Sequence, residues 1–93
     1  MSMNLNNIGI IGFGRAGNLI YNIFGKKTRL YDSKVRRVLQ VKPKSYKNDL
    51  SILVQRSDLI FISTPDDKIK GVIKKIINLN LKIKGKLFLH LSG

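Results

Sequence analysis

Three glycines and one aspartate are the residues of this chain whose types and spacing suit a single chemistry. In the stretch IGIIGFGRAGNLI, residues 8–20, the pattern Gly12-x-Gly14-x-x-Gly17 follows an apolar run and opens a helical one. A turn of this kind gives each glycine a task. Gly12 turns the chain tightly, Gly14 lets backbone approach a pyrophosphate, and Gly17 lets the helix pack on the strand. The unpaired N–H groups and partial positive charge at the helix start then suit a diphosphate without any side-chain cation. An acid that accepts hydrogen bonds from an adenosine ribose is expected about 20 residues further on, at the end of a second strand. Asp32 stands there, fifteen residues after Gly17. A purely structural turn and a helix-capping Asp32 are the bland alternatives. Triplet and acid together are far more specific than either alone.

No other group offers comparable chemistry. His90, the only histidine, could give a proton to a carbonyl or imine, but a lone histidine at the end of an apolar strand is more often a packed residue. Asp66 and Asp67 form an adjacent carboxylate pair at a helix start, where caps are the commoner use of acids. The lysines between Lys68 and Lys75 read as a solvated helix face. Without cysteine there is neither a disulfide framework nor a thiolate metal site, and no ligand cluster suggests a metal. The catalytic residues stay unknown at this point.

The elements that must position the triplet follow from periodicity. Residues 7–11 form a short β-branched strand ending at Gly12. Ala16, Leu19, Ile20, Ile23 and Phe24 then recur at helical spacing and predict a helix ending near Gly25. A second strand covers residues 28–31. Val35, Val38 and Leu39 give a short helical face stopped by Pro43. After a loop over residues 42–47, Asn48 or Asp49 caps a helix with Leu50, Leu53 and Val54 inward. Leu59-Ile60-Phe61-Ile62 is a fully apolar strand broken by Ser63-Thr64-Pro65. Asp66 and Asp67 are expected to cap a helix whose inner face is Ile69, Val72, Ile73, Ile76 and Ile77, and residues 86–91 make a last strand. Strands alternating with helices predict an α/β domain with an open parallel sheet and flanking helices.

Ninety-three residues allow one small domain, spanning residues 1–93, and an ordinary hydrophobic content of 43% excludes a disordered or collagen-like chain. The charge is unusual: 18 Lys plus Arg face 5 acids, for a net +13. Such a field favours polyanions, whether nucleic acid, anionic lipid or a phosphorylated cofactor. The basic residues are scattered over several segments rather than gathered, and compositional bias explains them better than a selected nucleic-acid surface. No segment approaches the ~18 apolar residues of a membrane span and the N-terminus lacks a signal pattern, so a cytoplasmic, soluble protein is expected.

With IGIIGFGRAGNLI, the later stretches SDLIFISTPDDKI and HLSG make the chain resemble a known family over nearly its whole length. It is similar to the N-terminal, Rossmann-type dinucleotide-binding domain of the pyrroline-5-carboxylate reductase and 6-phosphogluconate dehydrogenase superfamily, above all its Rossmann-like oxidoreductases. The resemblance implies a three-layer fold in which Gly12, Phe13, Gly14, Arg15 and Ala16 form the pyrophosphate loop. It also implies that Asp32 and Ser33 meet the adenosine ribose, that Ser63, Thr64 and Pro65 line the cofactor, and that His90, Ser92 and Gly93 lie near the nicotinamide. An Asp at position 32 points to NAD rather than NADP. Two departures stand out. The spacing from Gly17 to Asp32 is a few residues short for the family, and relatives continue beyond the point of Gly93 into a helical domain that closes the active site and usually dimerises. The expected function is therefore an NAD(P)-binding domain of an oxidoreductase whose substrate half is a separate helical domain or is supplied by a second chain. A nucleotide-sensing or nucleic-acid-binding basic module and an inactive truncated remnant are the alternatives.

Overall fold

The computed structural model describes residues 7–25, 27–42 and 48–91. The stop assigned to Pro43, most of the loop before Asn48, and Ser92 and Gly93 lie outside them. Among the described residues four strands and four α-helices follow in the order β1 (Ile8–Ile11), α1 (Arg15–Phe24), β2 (Arg29–Tyr31), α2 (Val35–Leu39), α3 (Leu50–Arg56), β3 (Leu59–Ile62), α4 (Ile69–Asn78) and β4 (Leu87–His90). A 3-10 turn, Asp66–Lys68, leads into α4. The strands form one parallel sheet in the order β2-β1-β3-β4. Ile10 pairs with Leu30 on one side and Phe61 on the other, and Phe61 with Leu89.

Because side chains alternate along a strand, each strand feeds both faces of the sheet. Ile8, Ile10, Leu30, Leu59 and Phe61 serve the face covered by α1 and α2, where Tyr21 and Val38 close the core. Ile11, Ile60 and Ile62 serve the other face, against Leu53 and Val54 of α3 and Ile76 of α4. Burial on both faces is why β1 and β3 are continuous apolar runs, as expected for central parallel strands. The layers are thus helix, sheet and helix, the α/β arrangement expected from the sequence. Among the described residues no helix is long and apolar enough to cross a membrane.

The helical faces differ from the periodic reading in rotation. In α1 the buried residues are Gly17 and Tyr21, with Ile20 half-buried, whereas Leu19 and Ile23 are exposed, Ile23 by 64%. Gly17 offers no side chain, so the helix sits closest to the sheet there, and the Tyr21 ring fills the space beside it, edge-on to Phe13 at 5.6 Å between centroids. A hydropathy pattern counts glycine and tyrosine as weak core formers and turns the face away from them. Likewise only Ile76 of α4 and Val38 of α2 are buried; Ile73, Ile77, Val35 and Leu39 are exposed. Asp66 and Asp67 do not cap α4 through their side chains: they occupy the 3-10 turn, and the residue preceding α4 is Lys68. Their charges still lie near a helix start, where the dipole favours them. β4 is shorter than expected and is an edge strand whose Leu87 and Leu89 remain 43% and 39% exposed.

One cap lies where the sequence puts it. The Asp49 carboxylate accepts a hydrogen bond from Ile52 N–H at 3.1 Å at the start of α3. Asp49→Ala is expected to cost about 1 kcal/mol, the usual loss for an N-cap. Urea denaturation would show it as a lowered midpoint at unchanged slope.

Candidate functional site

The strand order reverses direction at β1. Its first crossover leads to β2 on one side, and the chain later returns to β3 on the other. The loops leaving the carboxyl ends of β1 and β3 therefore part, and open sheets of this type carry their ligand crevice at that point. Here the crevice is a cleft of about 780 Å³. Gly12, Phe13, Gly14, Arg15 and Ala16 border it after β1, Asp32 and Ser33 after β2, and Ser63, Thr64 and Pro65 after β3. All the cofactor-binding candidates read from the sequence are thus gathered at one opening.

Their individual contributions are unequal. Gly12 has φ +89, a conformation that favours glycine, and a Cβ there would stand 2.8 Å from Thr64 Cγ2. Its N–H donates to the Tyr31 carbonyl at 2.7 Å, and its carbonyl accepts from the Ser63 hydroxyl. Ser63 is therefore committed to the turn. Phe13 points its ring into the core, where it is almost fully buried, and its N–H donates to Asp32 Oδ2 at 2.7 Å. Gly17 is a packing glycine: a Cβ there would lie 2.5 Å from the Gly12 carbonyl oxygen.

Gly14 is different. Its φ is an ordinary −87°, and a Cβ there would meet nothing within 4 Å. No neighbouring atom calls for glycine at this position. Gly14 precedes α1, with no side-chain cap and no acid in the first turn, and Gly14, Arg15 and Ala16 present N–H groups without a hydrogen-bond partner among the described residues. The α1 start is thus bare, positive at its end and open to the cleft. Nearby, Thr64 Oγ1 is buried without a partner among the described residues. Free amides at a helix start and an orphaned hydroxyl fit a phosphorylated ligand with further hydrogen-bonding groups.

Asp32 is buried, only 3% exposed. Both of its oxygens are engaged: Oδ2 accepts from Phe13 N–H and Oδ1 accepts from Lys34 N–H, each at 2.7 Å. Arg37 Nη1 stands 3.7 Å from Oδ2, and the Asp32 N–H donates to Asn48 Oδ1. Ser33 is exposed at the rim.

Sequence reasoning missed the far wall of the cleft. Lys68, Gly71, Val72 and Lys75 border it, three of them at helix positions assigned to a solvated surface or an inner face. Their spacing of three, four and seven residues was the available signal, since it puts them on one side of the helix. With Arg15, Lys34 and Arg37 these lysines surround the opening with cations, against Asp32 and Asp66. His90 does not border the cleft. Its Nε2 lies 3.3 Å from the Thr64 carbonyl and 3.6 Å from Asp66 Oδ1, bridging β4 to the loop after β3. Among the described residues no group of acids and histidine could hold a metal ion.

No protein-family model matches the chain, and comparison with curated protein sequences gives no match. Solved structures do resemble it. An imine reductase from Myxococcus stipitatus, a V8 variant in complex with NAD+, superposes with a TM-score of 0.72 at 20% identity, over 99% of this chain and 32% of that one. An imine reductase from Pseudomonas sp. gives a TM-score of 0.67 at 19% identity, over 91% of this chain and 31% of that one. The chain spans about a third of the length of these neighbours. The likeness establishes the fold: a small α/β domain of Rossmann type, with a four-stranded parallel sheet between helices.

Proposed function

We propose that this chain is the nicotinamide-dinucleotide-binding domain of an oxidoreductase, holding the pyrophosphate on the turn from Gly12 to Ala16 at the start of α1. The observation that carries this reading is Gly14, a glycine with no steric task inside the fold, set between free amides at the bare end of a ten-residue helix. A ligand approaching the backbone gives it one. The cations around the opening add an attractive field for a doubly charged diphosphate. The fold neighbour bound to NAD+ supports a nicotinamide dinucleotide in particular.

When bound, the cofactor would supply or accept the hydride. The residues of this chain bind and orient it: free amides from Gly14 to Ala16 on the pyrophosphate, and Thr64 and Pro65 along the cofactor where β3 leaves the sheet. The substrate half, and with it the proton-transfer residue, is proposed to lie in polypeptide outside these residues, in a helical domain or a partner copy. The exposed apolar side chains of β4 agree with a sheet that receives further structure.

The 93-residue chain is accordingly expected to bind dinucleotide without turning over substrate, because among the described residues the cleft is open and no group orients a reactant. Since the chain has no Trp, reduced-nicotinamide fluorescence can be titrated against a low protein background. NADH should bind saturably and be displaced by ADP but not by adenosine. Absence of binding, or steady hydride transfer to a small imine or carbonyl, would refute the proposal. Retention on DNA that persists at physiological salt would favour the basic-module alternative instead, because non-specific phosphate contacts weaken steeply with salt.

A further inference from the structure

We infer that Asp32 is a positioning residue that fastens the glycine turn, and that it does not accept from the adenosine ribose, so the β2 end does not select against a phosphate on the ribose 2′ oxygen. The inference rests on the dinucleotide reading above.

The carboxylate is engaged and buried where it stands. A ribose acceptor must offer a free oxygen to the cleft, yet Asp32 is 3% exposed and each oxygen already accepts a backbone N–H at 2.7 Å. The remaining side of Oδ2 faces the Arg37 guanidinium at 3.7 Å. A hydroxyl approaching from the cleft would have to reach a carboxylate that is 3% exposed and share its oxygens with two backbone N–H groups and a guanidinium.

The same bonds explain what Asp32 does instead. Phe13 N–H lies between Gly12 and Gly14, and the Phe13 ring is locked in the core against Tyr21. Oδ2 therefore pins the turn at its centre, while Oδ1 ties the same carboxylate to the residue preceding α2 through Lys34 N–H. The amides of Gly14 to Ala16 are thereby aimed before any ligand arrives, which lowers the ordering cost of binding. With the Asp32 charge facing Arg37, the side chains presented at the rim are Ser33 and Lys34, both exposed. These repel no 2′-phosphate. The structure thus removes the ground for expecting NAD over NADP.

The test pairs ADP with 2′,3′-dideoxy-ADP, which keeps the diphosphate and lacks both ribose hydroxyls, in the parent chain and in Asp32→Asn. The amide nitrogen of Asn turns one acceptor into a donor facing an N–H. A positioning role predicts that both ligands weaken by the same factor, about tenfold, because the turn serves the diphosphate. A loss confined to ADP would make Asp32 a ribose ligand and overturn the inference. So would unchanged affinity for both. In the parent, NADPH should bind at least as tightly as NADH; an NADH preference of tenfold or more, abolished in Asp32→Asn, also overturns it.

Two readouts are independent of these. In ligand-free protein the Phe13 amide proton should exchange about tenfold faster in Asp32→Asn relative to the Ile62 amide, and an unchanged rate refutes the fastening role. This measurement decides the inference even if the parent binds no ADP, an outcome that would refute the dinucleotide reading instead. If Asp32→Asn does not fold, the parent decides alone: equal affinity for ADP and 2′,3′-dideoxy-ADP supports the inference, and a tenfold preference for ADP overturns it.

Discussion

Gly14→Val is expected to abolish dinucleotide binding while leaving the fold intact. On the proposed function the two effects separate, because no atom of the fold crowds this glycine. A Cβ at position 14 meets nothing within 4 Å, so the valine methyl groups enter the space of the cleft. Gly14 is the N-cap of α1, where glycine is preferred to valine, so a stability loss of about 1 kcal/mol is expected. The binding loss is far larger. A pyrophosphate held by the Gly14, Arg15 and Ala16 amides would be pushed out of hydrogen-bonding range by a branched side chain at its point of closest approach. Losing two such charge-assisted bonds weakens affinity by at least about 100-fold, near 2.7 kcal/mol. Calorimetric titration with NADH, beside a urea melt of the same sample, reads both quantities. Equal affinity in mutant and parent would rule out this loop as the site.

What the sequence disclosed, and what it hid, follows from the range of the interactions involved. The elements were legible because each is set by local periodicity and punctuation: a β-branched run closed by Gly12, an apolar run closed by Ser63-Thr64-Pro65, a helix opened by Asp49. The position of the triplet at the sheet crevice was legible for the same reason, since a strand, a glycine turn and a helix in succession leave little choice. The inward face of α1 was not. It depends on the close approach of Gly17 to the Gly12 carbonyl and on Tyr21 meeting Phe13, contacts that hydropathy cannot weight. The state of Asp32 was hidden as well. Spacing identifies an acid at the end of β2, but its carboxylate is committed by Phe13 N–H, nineteen residues earlier, and by a backbone amide and a guanidinium that follow it. Residue type shows that a carboxylate is present; only the tertiary arrangement shows whether it is free. Lys68 and Lys75, before and within α4, escaped for a related reason, because a helix face turned to a cleft and one turned to bulk water have the same composition.

Gly17→Val is expected to produce the opposite phenotype to Gly14→Val, a large loss of stability, although the two glycines lie three residues apart in one motif. A Cβ at position 17 would stand 2.5 Å from the Gly12 carbonyl oxygen and 3.0 Å from Ser63 Oγ. The first contact is with backbone, and that backbone is held: Gly12 N–H is bonded to Tyr31 at 2.7 Å, and Ser63 donates to the same Gly12 carbonyl. The turn cannot yield without breaking these, so α1 must move outward from the sheet. Overpacking a close contact costs typically 1 to 3 kcal/mol, and an outward shift also loosens the buried Tyr21, so about 3 kcal/mol or more is expected for valine. Gly17→Ala is the sharper test of sign. Replacing glycine by alanine inside a helix gains about 1 kcal/mol of propensity, which opposes the clash. The clash should still prevail, because a 2.5 Å approach to a fixed carbonyl is not relieved by rotating a side chain. Alanine is therefore expected to be net destabilising by about 1 kcal/mol, a fall of roughly 4–8 °C in Tm for a domain of this size. An alanine variant that melts above the parent would show that propensity governs this position and that α1 does not rest on the turn as tightly as the geometry indicates.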